Sequence, residues 1–192
     1  MEEFKTWFLV GFDHILNAAA LDHILFVLAL VVVYKPNMIK QIVILITAFT
    51  IGHSITLIIS ALDLITYDQK VIEFAIPLTI VLTSLNNIVN RKKEMKKAVN
   101  SNYVIALVFG LVHGLGFANY LKALLFEGNI VMELFSFNVG IEVAQLIIVF
   151  VFLFCSFLGS NYLFKKRENW VLFVSSAIFG ISLMLTLNAK FW

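Results

Sequence analysis

Apolar residues run through this chain in six long stretches, at about 15–34, 40–62, 71–90, 103–126, 130–158 and 170–187, with polar residues gathered into the short gaps between them. A helix needs about 20 mostly apolar residues to cross the hydrocarbon of a bilayer, and each stretch is of that order. Lys35-Pro36-Asn37 ends the first, and Pro77 is a candidate kink inside the third. Residues 4–14 mix aromatic with polar side chains and are too short to span, so residues 1–14 read as an interfacial, extracytoplasmic lead-in. The pattern predicts an all-α membrane protein of about six transmembrane helices, forming one polytopic domain over residues 1–192.

Composition agrees with this pattern. The 192 residues are 61% hydrophobic and only 14% charged, and the mean hydropathy is +0.96. Soluble domains carry about a quarter charged residues, so a soluble fold is excluded. The net charge of +2 bears on topology and gives no reason to expect a nucleic-acid partner. The partners expected are the lipid bilayer and, given the chemistry below, a metal ion; a homo-oligomer is compatible with the sequence. The single cysteine, Cys155, gives no disulfide framework and reads as a small buried hydrophobe. Met1 to Lys5 lacks a basic leader region, so no cleaved signal is expected.

Basic residues set the orientation. Lys35 and Lys40, the cluster from Arg91 to Lys97, and Lys165 to Arg167 follow spans one, three and five, which puts those loops in the cytoplasm. Asp63, Asp68 and Glu127 follow spans two and four and face outward. Both termini are then extracytoplasmic, in a multi-pass protein of the cytoplasmic membrane.

Three of the four histidines, His23, His53 and His113, fall within expected spans, and His14 lies just before the first. Asp22 adjoins His23, and Glu142 lies inside the fifth span. An aspartate at the centre of a membrane helix costs about 2.5–3.5 kcal/mol on insertion scales, so a set of ionisable residues at such depth calls for partners, water or an ion. Counting 1.5 Å per residue from the outer span ends places Asp22 and His23 about 10–12 Å deep, Asn138 about 12 Å, His53 about 14 Å, Glu142 about 18 Å and His113 about 20 Å. These depths form one layer. Thr50, His53 and Ser54 share a face of span two, and Asn138, Glu142 and Gln145 share a face of span five. His14 and His23 lie on opposite sides of a straight helix and converge only if the chain breaks near Asn17. The halves also echo one another. His23-Ile-Leu-Phe26 resembles His113-Gly-Leu-Gly-Phe117, and Phe49-Thr-Ile-Gly52 resembles Phe137-Asn-Val-Gly140, as in a 3+3 inverted repeat.

Imidazole with carboxylate suits nickel, cobalt, zinc or iron as divalent ions. Binding would compete with protons, because only neutral imidazole ligates. Three uses of such a set stand open at this point. It can be a transport site for the ion, the centre of an intramembrane metal-dependent enzyme in which Glu142 or Asp22 activates water, or the structural polar core of an accessory protein.

The His14 … Asp22-His23-Ile-Leu-Phe start, TAFTIGHSITL, the Glu73 … Ile76-Pro77 region, LVHGLGFA and FNVGIEVAQ, in this order and spacing, resemble the HupE/UreJ family of integral membrane proteins. The resemblance covers nearly the whole chain. It implies a permease for a divalent transition metal, nickel first, rather than an enzyme. It also implies His14, Asp22 and His23 as first-span metal residues, with His53, His113 and Glu142 as further candidates; Thr50, Ser54, Asn138 and Gln145, on the polar faces of spans two and five, are the expected supporting residues.

Overall fold

The computed structural model describes residues 2–17, 21–92, 99–124, 130–164 and 166–191. Lys93, Glu94, Lys96, Lys97, Glu127 and Lys165, which carry part of the charge used for orientation, lie outside the described residues. Within them the chain forms seven α-helices and no strand: α1 Glu2–Leu16, α2 Leu21–Val31, α3 Ile39–Ala61, α4 Gln69–Asn90, α5 Val99–Leu124, α6 Ile130–Leu158 and α7 Arg167–Asn188. A short 3-10 turn, Pro36–Met38, leads into α3, and a π-helical turn, Gly159–Leu163, ends α6. Five helices are long and apolar enough to cross a membrane, and the pair α1 and α2 makes a sixth if it counts as one bent span. The protein is thus an all-helical, multi-pass membrane protein.

The start of the chain differs most from the sequence expectation. Helix already begins at Glu2, inside the stretch read as a lead-in, and the expected span 15–34 is divided between α1 and α2, which meet at 73°. Tertiary packing offsets what α1 lacks in length and apolarity. Ile15 is fully buried, and Trp7, Val10 and Phe12 pack beside it against Leu134, Phe137 and Ile141 of α6. The other helices keep close to the expected limits, α6 at both ends. Cys155 is exposed on α6 rather than buried, which corrects the expectation from its apolar neighbours; an apolar run in a membrane helix can face lipid.

Two helix pairs meet backbone to backbone through glycine. Gly52 of α3 lies on Leu107 and Leu111 of α5, while Gly110 of α5 lies on Phe49 and His53 of α3. In the other pair, Gly11 of α1 lies on Phe137 of α6, and Gly140 of α6 lies on Phe8 and Phe12 of α1. A Cβ at any of these four positions would collide with a main-chain carbonyl. The third extensive contact is between α4 and α7, two helices of 22 residues each.

Matching α1, α3 and α4 with α5, α6 and α7 sends the α3–α5 contact onto α6–α1 and the α4–α7 contact onto itself. This exchange of contacts is the one that a 3+3 inverted repeat would give. Gly11 then matches Gly110, Gly52 matches Gly140, and in α4 and α7 the buried Ile80 and Ser84 match Ile178 and Ser182. The register corrects the sequence echo in one respect. The counterpart of His113 is His14, three residues after the matched glycine, and not His23. The Phe49–Gly52 match with Phe137–Gly140 stands. Helix α2, of 11 residues, has no counterpart, and the stretch from His14 to Phe49 is longer than that from His113 to Phe137 by the same length.

Replacing Gly52 or Gly140 with alanine is expected to cost about 1–3 kcal/mol through overpacking and to lower the thermal midpoint of the purified protein. Gly180 has open space around it, so Gly180→Ala should leave the midpoint unchanged or raise it slightly.

Candidate metal-binding site

The break between α1 and α2 puts His14 and His23 on the same side. Their ring centroids are 4.5 Å apart, and His53, from α3, lies 6.1 Å from His14 and 6.2 Å from His23. A potential ligand atom from each of the three lies within 4.8 Å of the others. Metal–nitrogen bonds of about 2.0–2.1 Å require nitrogens no more than about 4.2 Å apart, so a small inward adjustment would let all three bind one ion. His113 of α5 stands 5.6 Å from His23 and completes a cluster drawn from α1, α2, α3 and α5.

The second ring nitrogens define which atom is left to ligate. His113 Nδ1 is 2.9 Å from the Phe109 carbonyl, which can only accept, so Nδ1 carries the proton and Nε2 presents its lone pair. His23 Nδ1 is 3.2 Å from Asp22 Oδ1, which fixes that ring in the same sense. Asp22 lies in the first turn of α2, where the helix dipole favours its negative charge. Nε2 of His14, His23 and His113 and both ring nitrogens of His53 are buried with no hydrogen-bond partner. Unpaired buried polar groups cost about 1–3 kcal/mol each, so this concentration of them in one place is a feature that an ion would relieve.

A cavity of about 430 Å³ reaches the cluster. His14, Asp22, His23 and His113 line it together with Gln69 and Glu73 of α4, Leu185 of α7 and Ala189 just after α7. Six waters occupy about 180 Å³ of liquid, so a hydrated dication fits. On the far side of the cluster the path is closed by aromatic rings. Phe26 packs 4.7 Å from His113, 5.0 Å from Phe49 and 5.7 Å from Phe109.

Glu73 is the lining residue that the sequence pattern did not single out as chemistry, because a charge at the start of a span ordinarily faces solvent. Its carboxylate adds a second acid to the cavity beside Asp22. Pro77, one turn on, lacks the N–H that would bond the Glu73 carbonyl, so a main-chain acceptor is also left open at this wall. Gln69 is held in place, donating to the Gly116 carbonyl at 3.1 Å and accepting from Asn119 at 3.1 Å.

The remaining candidates lie apart. Glu142 is not among the lining residues; it accepts a 2.6 Å hydrogen bond from Thr47 at the α3–α6 contact. Beside it Thr50 donates to Gln145 at 3.1 Å. Ser54 donates to the Thr50 carbonyl and Asn138 to the Leu134 carbonyl, each at 2.7 Å. Thr47, Glu142, Thr50 and Gln145 make a second polar layer between α3 and α6, while Ser54 and Asn138 bond within their own helices.

Titration calorimetry with nickel on the purified protein separates the two groups. Alanine at His14, His23 or His53 should weaken binding by at least about tenfold, and Asp22→Asn by about 10–100-fold through loss of ring orientation. Glu142→Gln should leave the affinity within about twofold.

No curated protein and no solved structure matches the chain. The HupE / UreJ protein family matches residues 1–190, spanning all seven helices, the histidine cluster and the cavity. With that match over nearly its whole length, the chain belongs to the HupE/UreJ family.

Proposed function

We propose that this protein is a permease that carries a divalent transition metal, nickel first and cobalt next, through the cytoplasmic membrane by way of the His14, His23, His53 and His113 cluster. The resemblance drawn from the sequence implies a nickel permease, and the family match over residues 1–190 supports that resemblance. One observation supports the reading above the others: buried imidazole nitrogens without partners stand at a cavity whose carboxylates are Asp22 and Glu73. The ion is substrate in this reading. Nitrogen ligands suit nickel, cobalt and zinc, and with no thiolate in the cluster the site favours release over permanent retention.

The side chains divide the work. Glu73 and Asp22 lower the cost of bringing a dication from water into a low-dielectric interior. Three imidazoles then replace part of its water shell, while Asp22 orients His23. In the orientation expected from the basic loops, the mouth between α4 and the end of α7 would face the extracytoplasmic side, and the direction of transport would be inward. Movement would follow from exposing one site alternately through the two halves of the repeat.

The test is uptake of labelled nickel, cobalt and zinc into proteoliposomes. Wild-type protein should accumulate nickel above protein-free vesicles, and Asp22→Asn should reduce the initial rate at least about tenfold. A protein that binds the ion stoichiometrically and moves none of it would overturn the permease and leave a metal-dependent enzyme or a structural centre in its place.

A further inference from the structure

Carried across the repeat, the cavity falls at the opposite ends of α4 and α7, and both of these helices pack on α2. Helices α4 and α7 match residue for residue from Gln69 and Arg167 to Asn90 and Asn188. Carrying the cavity wall across this match takes Gln69 to Arg167, Glu73 to Val171 and Pro77 to Ser175; in the other direction it takes Leu185 to Asn87. Two of these four counterparts hold α2. Asn87 Nδ2 donates to the Ala29 carbonyl at 2.7 Å, and the Arg167 guanidinium donates to the carbonyl of Val32 at 3.2 Å and to that of Tyr34. The Asn87 bond goes to the C-terminal end of α2, where helix carbonyls lack internal donors, and the two Arg167 bonds go to the turn that follows it.

We infer that α2 is a plug lodged in a second vestibule, the exit half of the metal path, and that Asn87 and Arg167 are the latch that keeps it there. Three observations converge on this. Helix α2 is the one element that breaks the repeat, and its length is that of the extra chain between His14 and Phe49. It bears Phe26, the ring that closes the far side of the cluster, and it also bears Asp22 and His23, so the plug and part of the site are one body. Ser175 of α7, the counterpart of the cavity-lining Pro77, has its Oγ fully buried without a hydrogen-bond partner. In this reading the hydroxyl is left dry while α2 is in place and becomes hydrated once it leaves.

The ligand of this vestibule is the same hydrated dication, and the chemistry of its wall differs from that of the entrance. Where the outer cavity has Gln69 and Glu73, the inner has Arg167 and Val171. A cation on this side meets a guanidinium in place of an amide and a valine in place of the carboxylate, so it is held more weakly, which favours release. Withdrawal of α2 also removes Asp22 and His23 from the cluster, leaving His14, His53 and His113.

This inference rests on the permease reading, and the experiment separates the two. In a Cys155→Ser background, Ser175→Cys is reconstituted in vesicles and exposed to a membrane-impermeant maleimide from either side, with nickel uptake followed in the same preparations. The cysteine should be protected in the parent. Arg167→Ala, and more mildly Asn87→Ala, should raise its labelling rate at least tenfold from the side opposite the cavity, in protein that still elutes as one species. Labelling that both latch variants leave unchanged, or that proceeds from the cavity side, overturns the plug. Labelling that responds while the parent takes up no nickel leaves the plug standing and removes the permease.

Discussion

Close approach of main chains at four glycines governs the arrangement of everything else in this protein. Lipid tails are as apolar as leucine, so helices in a bilayer gain little by hiding apolar side chains from them and depend on close packing instead. Gly52 with Gly110, and Gly11 with Gly140, bring two helix pairs to main-chain contact. Each functional histidine outside α2 sits next to such a contact. His53 follows Gly52 directly, and His14 and His113 each lie one turn beyond the matched Gly11 and Gly110. The seams therefore set the distances between imidazoles, and a change at a seam is a change in the site.

Much of this could be read in the amino-acid order. Spans α3 to α7 follow from apolar length alone, and the shared face of Thr50, His53 and Ser54 follows from helical spacing. Three things did not follow. The break between α1 and α2 is set by packing of a mixed-polarity α1 on α6, which no local pattern reports. Glu142 shares the depth of the cluster but points toward Thr47, since depth fixes only one coordinate and rotation about the helix is decided by the neighbour. The repeat was visible through Phe49–Gly52 and Phe137–Gly140, whereas the first-span register was drawn to His23 by the residues around it. The glycine three positions before His14 was the more reliable marker, because a main-chain contact tolerates no other residue.

The histidine cluster carries its own thermodynamic logic. A site designed to keep a metal surrounds each ligand with fixed partners, while here His53 has neither ring nitrogen engaged and only His23 and His113 are oriented by hydrogen bonds. Two oriented and two freer ligands give a site that can gather around an ion and also let it go. The second polar layer, Thr47 with Glu142 and Thr50 with Gln145, joins α3 to α6 across the two halves, so it ties together the units that any rearrangement must move.

The shortness of α2 also bears on how the protein is made. Eleven residues of helix extend about 16 Å, roughly half the hydrocarbon thickness, and α1 carries Glu2, Glu3, Lys5 and Asp13 along 15 residues. Neither helix alone is a strong signal for the insertion machinery. The partners that bury them, α6 for α1 and α4 with α7 for α2, emerge from the ribosome much later. Helices α1 and α2 therefore find their places only after helices that follow them in the chain have entered the membrane, and the histidine cluster is assembled with them.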